Sequence, residues 1–293
     1  MKALPPNLMN LGVGLGFREQ LRPMIATHDG EIDFYELIGD TLFDDFTLEE
    51  TLRATAGRPV VCHFLAASLA TAGPLDPEYL EGIKRVSRTT GCLWVSDHLA
   101  ITSVFDHDIG HLTPPILDNS TLNMVADKIK RIQDVTGRIF LIENISYLFM
   151  PPGAEMSEAD FLQRLCTMAD CGLLLDLNNL HVNASNHDFN PYEFLMTLPL
   201  DRVLQVHIAG SAWSEDLLID THADPVPASV FELLGTVRAR GGAGAVLLER
   251  DRNFPPDEEL ISELRKAREV WKSHAIGEHY SRDIDLVYPP ADN

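Results

Sequence analysis

Residues 138–144 read RIFLIEN, and residues 172–178 read GLLLDLN. Each stretch is a short, continuous apolar run that contains a carboxylate and an asparagine near its end. Continuous runs of this kind are typical of strands buried on both faces, as in a parallel sheet. Six further runs recur along the chain: LGVGLGF (11–17), DFYELI (33–38), PVVCHFL (59–65), CLWVSDHL (92–99), RVLQVHIAG (202–210) and AGAVLLERD (243–251).

The segments between these runs have the spacing of amphipathic helices. Three clear cases are STLNMVADKIKRIQDVTG (120–137), SEADFLQRLCTMADCG (157–172) and PDEELISELRKAREVWKSH (256–274). In the first, Ser120 is a candidate N-cap and Gly137 a stop signal. The second opens with Ser157 and Asp160, a pattern similar to a capping box, and closes at Gly172. The third begins with a proline and ends in basic residues, as helices often do.

Eight strands that alternate with helices predict an α/β protein with a (β/α)8 TIM-barrel fold. A doubly wound open sheet is the alternative, but it does not need eight runs of this regularity. We expect residues 1–275 to form a single barrel domain. Residues 276–293 are polar and contain prolines, so we expect a C-terminal tail or a strap over the barrel.

Composition limits the classes of partner. The chain of 293 residues carries a net charge of −21, which makes nucleic acid an unfavourable partner. No apolar run approaches the length of a membrane-spanning helix. The first ten residues, MKALPPNLMN, lack the apolar core of a signal peptide. We therefore expect a cytoplasmic protein that binds neither nucleic acid nor membrane.

The four cysteines predict free thiols. Cys62, Cys92, Cys166 and Cys171 include no CxxC pair. Buried thiols in a reducing compartment explain this usage, and a zinc site built from thiolates is not expected.

Polar or ionisable side chains lie on or directly after six consecutive predicted strands. They are His63 on the third strand, Asp97 and His98 on the fourth, Glu143 and Asn144 on the fifth, Asp176, Asn178 and Asn179 on the sixth, His207 on the seventh, and Glu249, Arg250 and Asp251 on the eighth. The loops after the sixth and seventh strands add His181, His187, Asp220 and His222. In a TIM barrel the active site lies at the C-terminal ends of the strands.

Each of these residues alone has an ordinary explanation. A single histidine in an apolar run is usually a core residue, and a carboxylate at a strand end is often the N-cap of the next helix. Six consecutive strands with such residues are harder to explain in this way. Buried carboxylates cost several kcal/mol unless they are paired or bound to cations, so a ring of acids and imidazoles at one barrel mouth indicates a metal site.

The ligand types narrow the choice of metal. Imidazole nitrogen and carboxylate oxygen without a thiolate pair favour Fe, Mn, Zn or Co. The candidates are too many for one ion, so we expect two or three ions with a bridging carboxylate.

Six motifs in a fixed order carry a family resemblance. They are VSDHLA (95–100), LIENISYL (141–148), GLLLDLNNLHVNASNH (172–187), VHIAG (206–210), LIDTHADPVP (218–227) and LLERD (247–251). Over about residues 8–272 the chain resembles the multinuclear non-haem iron-dependent oxidative enzymes. The resemblance implies a xylose-isomerase-like barrel that holds two or three irons, in mixed Fe(II)/Fe(III) states, at its mouth.

The resemblance also implies a set of ligands. One iron would bind His63, His98 and Glu143. A second would share Glu143 and bind Asp176, His207 and Glu249, and a third would bind Asn178, Asp220 and His222. The residues implied to support the metals or to face substrate are Asp97, Asn144, His187 and Asp251.

Enzymes of this family use dioxygen to modify ribosomally made precursor peptides, most often at cysteine, and many need a small partner protein that binds the leader peptide. The resemblance implies the same for this chain. Two stretches and one single residue depart from the common pattern. The third strand reads CHFLAASL (62–69) where many members have HGVGLS, the fourth reads SDH (96–98) where many have SEH, and Ser211 stands where many have histidine.

Two other classes remain open. A metal-dependent barrel enzyme of another kind, such as a sugar isomerase or a hydrolase of abasic DNA, would share the fold and the ligand types. An inactive barrel that serves as a scaffold would be expected to have lost some of the nine presumed ligands, and all nine are present.

Overall fold

The computed structural model describes residues 10–105 and 107–273. The predicted tail, residues 276–293, lies outside the described residues, so the predicted domain boundary stays a prediction.

Eight parallel strands close into a barrel, which confirms the predicted (β/α)8 fold. The barrel strands are β1 (Gly12–Gly16), β2 (Tyr35–Ile38), β3 (Val60–His63), β4 (Trp94–His98), β7 (Ile139–Glu143), β8 (Gly172–Asp176), β9 (Val203–Ile208) and β12 (Ala245–Leu248). Their order around the barrel is β1-β12-β9-β8-β7-β4-β3-β2, with β2 pairing back to β1. Each of the eight predicted apolar runs contains one of these strands.

Two antiparallel hairpins that were not predicted follow barrel strands. The first joins β5 (Ile101–Val104) to β6 (His107–Thr113) after β4, and the second joins β10 (Ser211–Ser214) to β11 (Leu217–Asp220) after β9. Both therefore lie on the side of the barrel where the strands end. Asp220, predicted to lie in a loop, is the last residue of β11.

Helices alternate with the barrel strands. They are α1 (Arg22–His28), α2 (Asp45–Ala54), α3 (Pro77–Thr90), α4 (Asn119–Thr136), α5 (Glu158–Ala169), α6 (Leu177–His187), α7 (Pro191–Thr197), α8 (Ala228–Ala239) and α9 (Asp257–Ser273). Short 3₁₀ helices span Glu19–Leu21, Asp29–Glu31, Gly39–Phe43 and Leu200–Arg202. Among the described residues, none of the helices combines the length and apolarity needed to cross a bilayer.

The helix termini confirm some predicted caps and correct others. Ser157 caps α5, as predicted, by accepting a hydrogen bond from the backbone N–H of Asp160. Asp118, not Ser120, caps α4, because its carboxylate accepts from the N–H of Thr121. Gly172 does not end α5 but begins β8, and Asp170 in the left-handed conformation ends the helix instead.

The prediction of a loop after the sixth barrel strand is wrong, because those residues form helix α6. His181 lies in its middle and His187 at its last position. The carboxylate of Asp176 caps the helix, and Leu177, Leu180 and Val182 are buried. Capping and burial of an apolar face outweigh the weak helix propensity of the asparagines and histidines interspersed there.

Two apolar layers hold the fold. The larger layer packs the helices against the outside of the barrel. The smaller fills the inside of the barrel with the side chains of Phe34, Val61, Trp94, Ile139, Leu141, Leu174, Ala245 and Leu247. On β1 a Cβ at Gly14 would lie 2.6 Å from the Phe34 ring, so glycine makes room for that ring. The filled interior closes the lower part of the barrel and leaves its mouth for polar residues.

Candidate metal centre

The two-residue period of the strands places the candidate ligands in one layer above the apolar interior. Alternate residues of a strand face the same side. Four candidate ligands each lie two residues after an apolar residue that faces the barrel interior. They are His63 after Val61, Glu143 after Leu141, Asp176 after Leu174, and Glu249 after Leu247. These four side chains, with His98 and His207, are buried. The barrel pattern thus brings together ligands that lie as much as 186 residues apart in sequence.

Three overlapping groups of side chains have the spacing of metal sites. They are His63, His98 and Glu143; Glu143, Asp176 and His207; and Asp176, His222 and Glu249. In each group the ligand atoms lie within 4.8 Å of one another. Glu143 belongs to the first two groups and Asp176 to the last two, so a carboxylate links each pair of neighbouring groups.

The first group corresponds to the first predicted ligand set. Glu143 Oε2 lies 3.4 Å from His63 Nε2 and 3.5 Å from His98 Nε2. His63 is held from behind, since its Nδ1 lies 2.9 Å from the hydroxyl of Ser96. Both imidazoles therefore present Nε2 to the same carboxylate oxygen.

The second group is centred on His207. Its Nδ1 lies 3.3 Å from Glu143 Oε1, 3.1 Å from Glu249 Oε2 and 3.9 Å from Asp176 Oδ2. All four members of the second predicted ligand set are thus close together. Asp176 presents Oδ2 here because its other oxygen accepts from the N–H of Asn179 at the start of α6.

The third group only partly matches the third predicted set. His222 Nδ1 lies 3.3 Å from Glu249 Oε2, and His222 Nε2 lies 2.8 Å from Asp220 Oδ1. Asn178 donates to the same oxygen of Asp220 over 2.7 Å. The predicted Asn178 and Asp220 thus flank His222, while Asp176 and Glu249 complete the group. The assignment of individual ligands to individual ions stays a prediction.

The backbone at His222 is constrained to bring its ring to the site. Its φ of 49° is in the left-handed region, which costs energy for a residue other than glycine. Two hydrogen bonds hold it there, from its N–H to Gly210 O and from the Asp251 N–H to its carbonyl. A Cβ at Gly210 would lie 1.9 Å from Asp224 O, so this loop approaches the strand end closely.

Buried atoms without hydrogen-bond partners converge at these groups. Within the described residues they include His98 Nδ1, Glu143 Oε2, Asp176 Oδ2, Asn178 Oδ1, His207 Nδ1 and His222 Nε2. The histidine and carboxylate atoms among them lie within ion-pair distance of an opposite group, but without the geometry of a hydrogen bond. Unsatisfied buried polar atoms are rare and costly. Imidazole nitrogens and carboxylate oxygens are ligands for iron, manganese, zinc or cobalt, so the residues fit a metal centre.

The pKa values show how strongly the charges of this site interact. Burial would raise the pKa of Glu143, but His98, His207 and His63 outweigh it and hold the value at about 2. Burial would lower the pKa of His98, but Glu143 and Asp97 raise it to about 9. Burial raises the pKa of Asp176 to about 8, and Asp220 and Glu143 add to the rise, which His222 and His207 only partly offset. A bound cation would favour the ionised carboxylate of Asp176 and neutral imidazoles.

Asp97 and Asn144, predicted to support the metals or face substrate, are buried and bind backbone. Asp97 accepts from the N–H groups of Ala67 and His98. Asn144 exchanges two hydrogen bonds with the backbone of Asp176, donating to its carbonyl over 3.0 Å and accepting from its N–H over 2.9 Å. Both residues therefore fix the strand ends that carry ligands.

Asp251 and His187, the other two residues of that set, lie in different settings. The side chain of Asp251 is 37% exposed, and its Oδ2 lies 3.5 Å from His222 Nδ1, so Asp251 borders the site. His187 is exposed, stacks on Tyr147 with ring centroids 4.9 Å apart, and contacts the Tyr147 carbonyl. His187 thus belongs to the rim and not to the three ligand groups.

Two residues of the site were missed by the sequence reasoning. Arg18, which follows β1, binds Glu249 Oε1 over 2.8 Å and also Asp251. Glu36, on β2, is fully buried and contacts His207. The signal for Glu36 was an acid inside the apolar run DFYELI, which should have been as informative as the histidine in PVVCHFL.

The chain aligns with related bacterial proteins over most of its own length and most of theirs. The chain is 37% identical over 269 residues to a UPF0276 protein of Caulobacter vibrioides, covering 91% of this chain and 96% of the relative. It is 37% identical over 257 residues to a UPF0276 protein of Acaryochloris marina, covering 87% and 93%.

Solved structures of similar fold are distant in sequence. A xylose isomerase domain protein from Planctomyces limnophilus superposes with a TM-score of 0.57 at 12% identity, covering 90% of this chain and 97% of that one. Endonuclease IV from Thermus thermophilus superposes with a TM-score of 0.55 at 15% identity, covering 90% and 100%. At this identity the likeness shows only the fold, and it confirms the xylose-isomerase-like barrel.

A family match extends across the barrel. Residues 12–272 match the model of the RiPP precursor modification enzyme MbnB/TglH/ChrH, where RiPP denotes a ribosomally synthesised and post-translationally modified peptide. The match begins at the first residue of β1 and ends one residue before the end of α9, so it includes every candidate ligand. The chain therefore belongs to the MbnB/TglH/ChrH family of RiPP precursor modification enzymes.

Proposed function

We propose that this enzyme uses iron and dioxygen to oxidise a cysteine residue of a ribosomally made precursor peptide. The observation that carries the proposal is the set of three overlapping histidine–carboxylate groups linked by Glu143 and Asp176. Membership of the family supports the precursor peptide as substrate.

The linking carboxylates favour more than one ion. Glu143 directs one oxygen to the first group and the other to His207, so it can bridge two metals. Asp176, Glu249 and Glu143 crowd around His207 within 3.9 Å, and carboxylates so close repel one another unless cations lie between them. Two or three ions therefore suit the charge of the site better than one.

Nitrogen and oxygen ligands of this kind support redox-active iron. Iron held by the three histidine–carboxylate groups would supply electrons to dioxygen and would lower the pKa of a substrate thiol. The chain itself holds the ligands in place, excludes water and keeps carboxylate ligands ionised. The histidines His222 and His207 keep the pKa of Glu249 well below its usual value although burial opposes them.

The mouth of the barrel is suited to a peptide. Asp251 and His222 reach the surface there, so the centre can be approached from solvent. The hairpins β5–β6 and β10–β11 rise from the same side of the barrel. We propose that the modified residue of the peptide enters between them. A small partner protein that binds the leader peptide completes the proposal, and the net charge of −21 favours a basic leader.

The test combines metal analysis with a peptide assay. The chain is purified without oxygen, loaded with Fe(II), and incubated with oxygen, a candidate cysteine-containing precursor peptide and its leader-binding partner. We expect a mass change of the peptide that maps to cysteine, consumption of oxygen, and loss of both in His98→Ala but not in the control His28→Ala, which lies outside the three ligand groups. A chain that purifies with zinc or manganese, and gains no oxygen consumption on iron loading, would favour a hydrolase or isomerase instead.

A further inference from the structure

Glu36 is a buried carboxylate just below the metal centre. It lies on the inward face of β2, two residues beyond Phe34 of the barrel interior, and none of its surface is exposed. A buried carboxylate without a partner is expensive, so its contacts show what it is for.

Glu36 binds the face of His207 that points away from the metal ligands. Its Oε2 lies 3.0 Å from His207 Nε2, whereas His207 Nδ1 is directed towards Glu143, Asp176 and Glu249. A carboxylate can only accept a hydrogen bond, so Nε2 must donate. With the proton on Nε2, the neutral ring presents its Nδ1 lone pair to the three carboxylates.

A second hydrogen bond competes for the same ring nitrogen. Gln205 Nε2 lies 3.0 Å from His207 Nε2 and 2.5 Å from Glu36 Oε2. The indole N–H of Trp94 donates to Gln205 Oε1 over 2.7 Å, which fixes the amide with its nitrogen towards Glu36 and His207. Without Glu36, this amide would donate to His207 Nε2 and drive the proton of a neutral ring to Nδ1.

We propose that Glu36 is the positioning residue that keeps His207 Nδ1 available as a metal ligand. Glu36 accepts from Nε2 of His207 and from the amide of Gln205. Because Glu36 keeps a proton on Nε2, that nitrogen has no lone pair with which to accept from the amide. Trp94 and Gln205 hold Glu36 in turn. The inference rests on the proposed metal centre, in which His207 shares an ion with Glu143 and Asp176.

The inward position of Glu36 permits a matched set of variants. Glu36→Leu removes the acceptor at similar volume, and Glu36→Gln keeps an acceptor oxygen without the charge. The control Tyr35→Phe changes the neighbouring residue of the same strand, which faces the helices and donates to Asp29 over 3.1 Å. Each protein is stripped of metal and titrated with Fe(II) under anaerobic conditions and, separately, with Zn(II), using a competing chelator.

We expect Glu36→Leu to weaken one of the metal-binding steps by roughly 10- to 100-fold, because a lost partner behind a metal-binding histidine has effects of that size. Glu36→Gln should lose less, since it keeps an acceptor, and Tyr35→Phe should bind like the wild-type chain. The Mössbauer spectrum of the iron-loaded Glu36→Leu should change for one iron. The metal-free Glu36→Leu should also melt lower, because removing one partner of the buried Glu36–His207 pair leaves the imidazole and the Gln205 amide without their acceptor.

Two results would overturn the positioning role alone. One is wild-type affinity in Glu36→Leu for both metals. The other applies if Glu36→Leu does not fold: Glu36→Met, which also lacks an acceptor oxygen, then takes its place, and wild-type affinity in that variant overturns the role. If the wild-type chain binds Zn(II) but no iron, the proposed oxidative function fails while the zinc titrations still test Glu36. If it binds neither metal, both proposals fail.

Discussion

Replacing Asp176 with asparagine should stabilise the metal-free protein and abolish much of its metal binding. Burial raises the pKa of this carboxyl from 3.8 to about 8 in the folded chain, with Asp220 and Glu143 adding to the rise and His222 opposing it. A folded pKa above the unfolded value gives stability that is present below pH 3.8 and is lost as the pH rises through about 8. At pH 7 the carboxyl ionises freely only in the unfolded chain.

The size of the effect follows from the pKa difference. Between pH 3.8 and pH 7 the unfolded chain gains about 1.4 kcal/mol per pH unit from ionising this group, which is on the order of 4 kcal/mol in total. Asparagine cannot ionise, so Asp176→Asn should recover that amount. Asparagine is as good an N-cap as aspartate, so the hydrogen bond from the Asn179 N–H is kept.

The assay is thermal unfolding by calorimetry at pH 7, with and without a chelator. In the presence of chelator we expect Asp176→Asn to melt roughly 10 °C above the wild-type chain. The control Asp134→Asn, which lies outside the ligand groups, should melt at the wild-type temperature. Added Fe(II) should raise the midpoint of the wild-type chain by binding linkage and should raise that of Asp176→Asn by less, because Asp176 belongs to two of the three groups and only the group of His63, His98 and Glu143 stays intact. A metal-free Asp176→Asn that melts at or below the wild-type midpoint would mean that burial of the Asp176 carboxyl does not destabilise the fold.

Three further predictions concern the same site. Glu143→Gln should destabilise the metal-free chain, in contrast to Asp176→Asn, by about 3 kcal/mol at neutral pH, because His98, His207 and His63 hold the pKa of Glu143 at about 2 despite its burial. Calorimetry measures this beside the exposed control Glu232→Gln, and an unchanged midpoint contradicts it. The pKa of His98, raised to about 9 by Glu143 and Asp97 against burial, gives the metal-free chain stability that is complete below about pH 6.5 and is lost as the pH rises through 9; a midpoint that does not fall over this range would be evidence against the charged imidazole. His63→Ala should lose about one iron per chain by elemental analysis, because it disrupts only the first group, whereas full iron content would mean that His63 is not a ligand.

The barrel could be predicted from the sequence because its strands are buried on both faces. Such strands have continuous apolar runs that stand out from the helices, and all eight were located to within three residues at each end. The hairpins were missed for the opposite reason. β6, HDIGHLT, is largely exposed and mixes polar with apolar residues, so it has neither the continuous run nor the alternation of a typical strand.

The candidate ligands could be predicted because a parallel barrel brings the ends of its strands together. His63, Glu143 and His207 were selected on that rule, and the structure places them around one centre. Glu36 and Arg18 were missed because the rule was applied to the later strands only. The contacts of Glu36 and Arg18 depend on which residues lie opposite them across the barrel. The stagger between neighbouring strands sets those contacts, and it cannot be read from a sequence.

We propose that the barrel mouth holds a multinuclear iron centre. The most direct measurement is elemental analysis of protein purified without oxygen, with Mössbauer and EPR spectra of the same sample. We predict about two to three irons per chain, in line with the three ligand groups, and the spectrum of a magnetically coupled pair. Zinc or manganese at about one or two ions per chain, with no iron and no uptake on iron loading, would mean that the centre is not an iron centre.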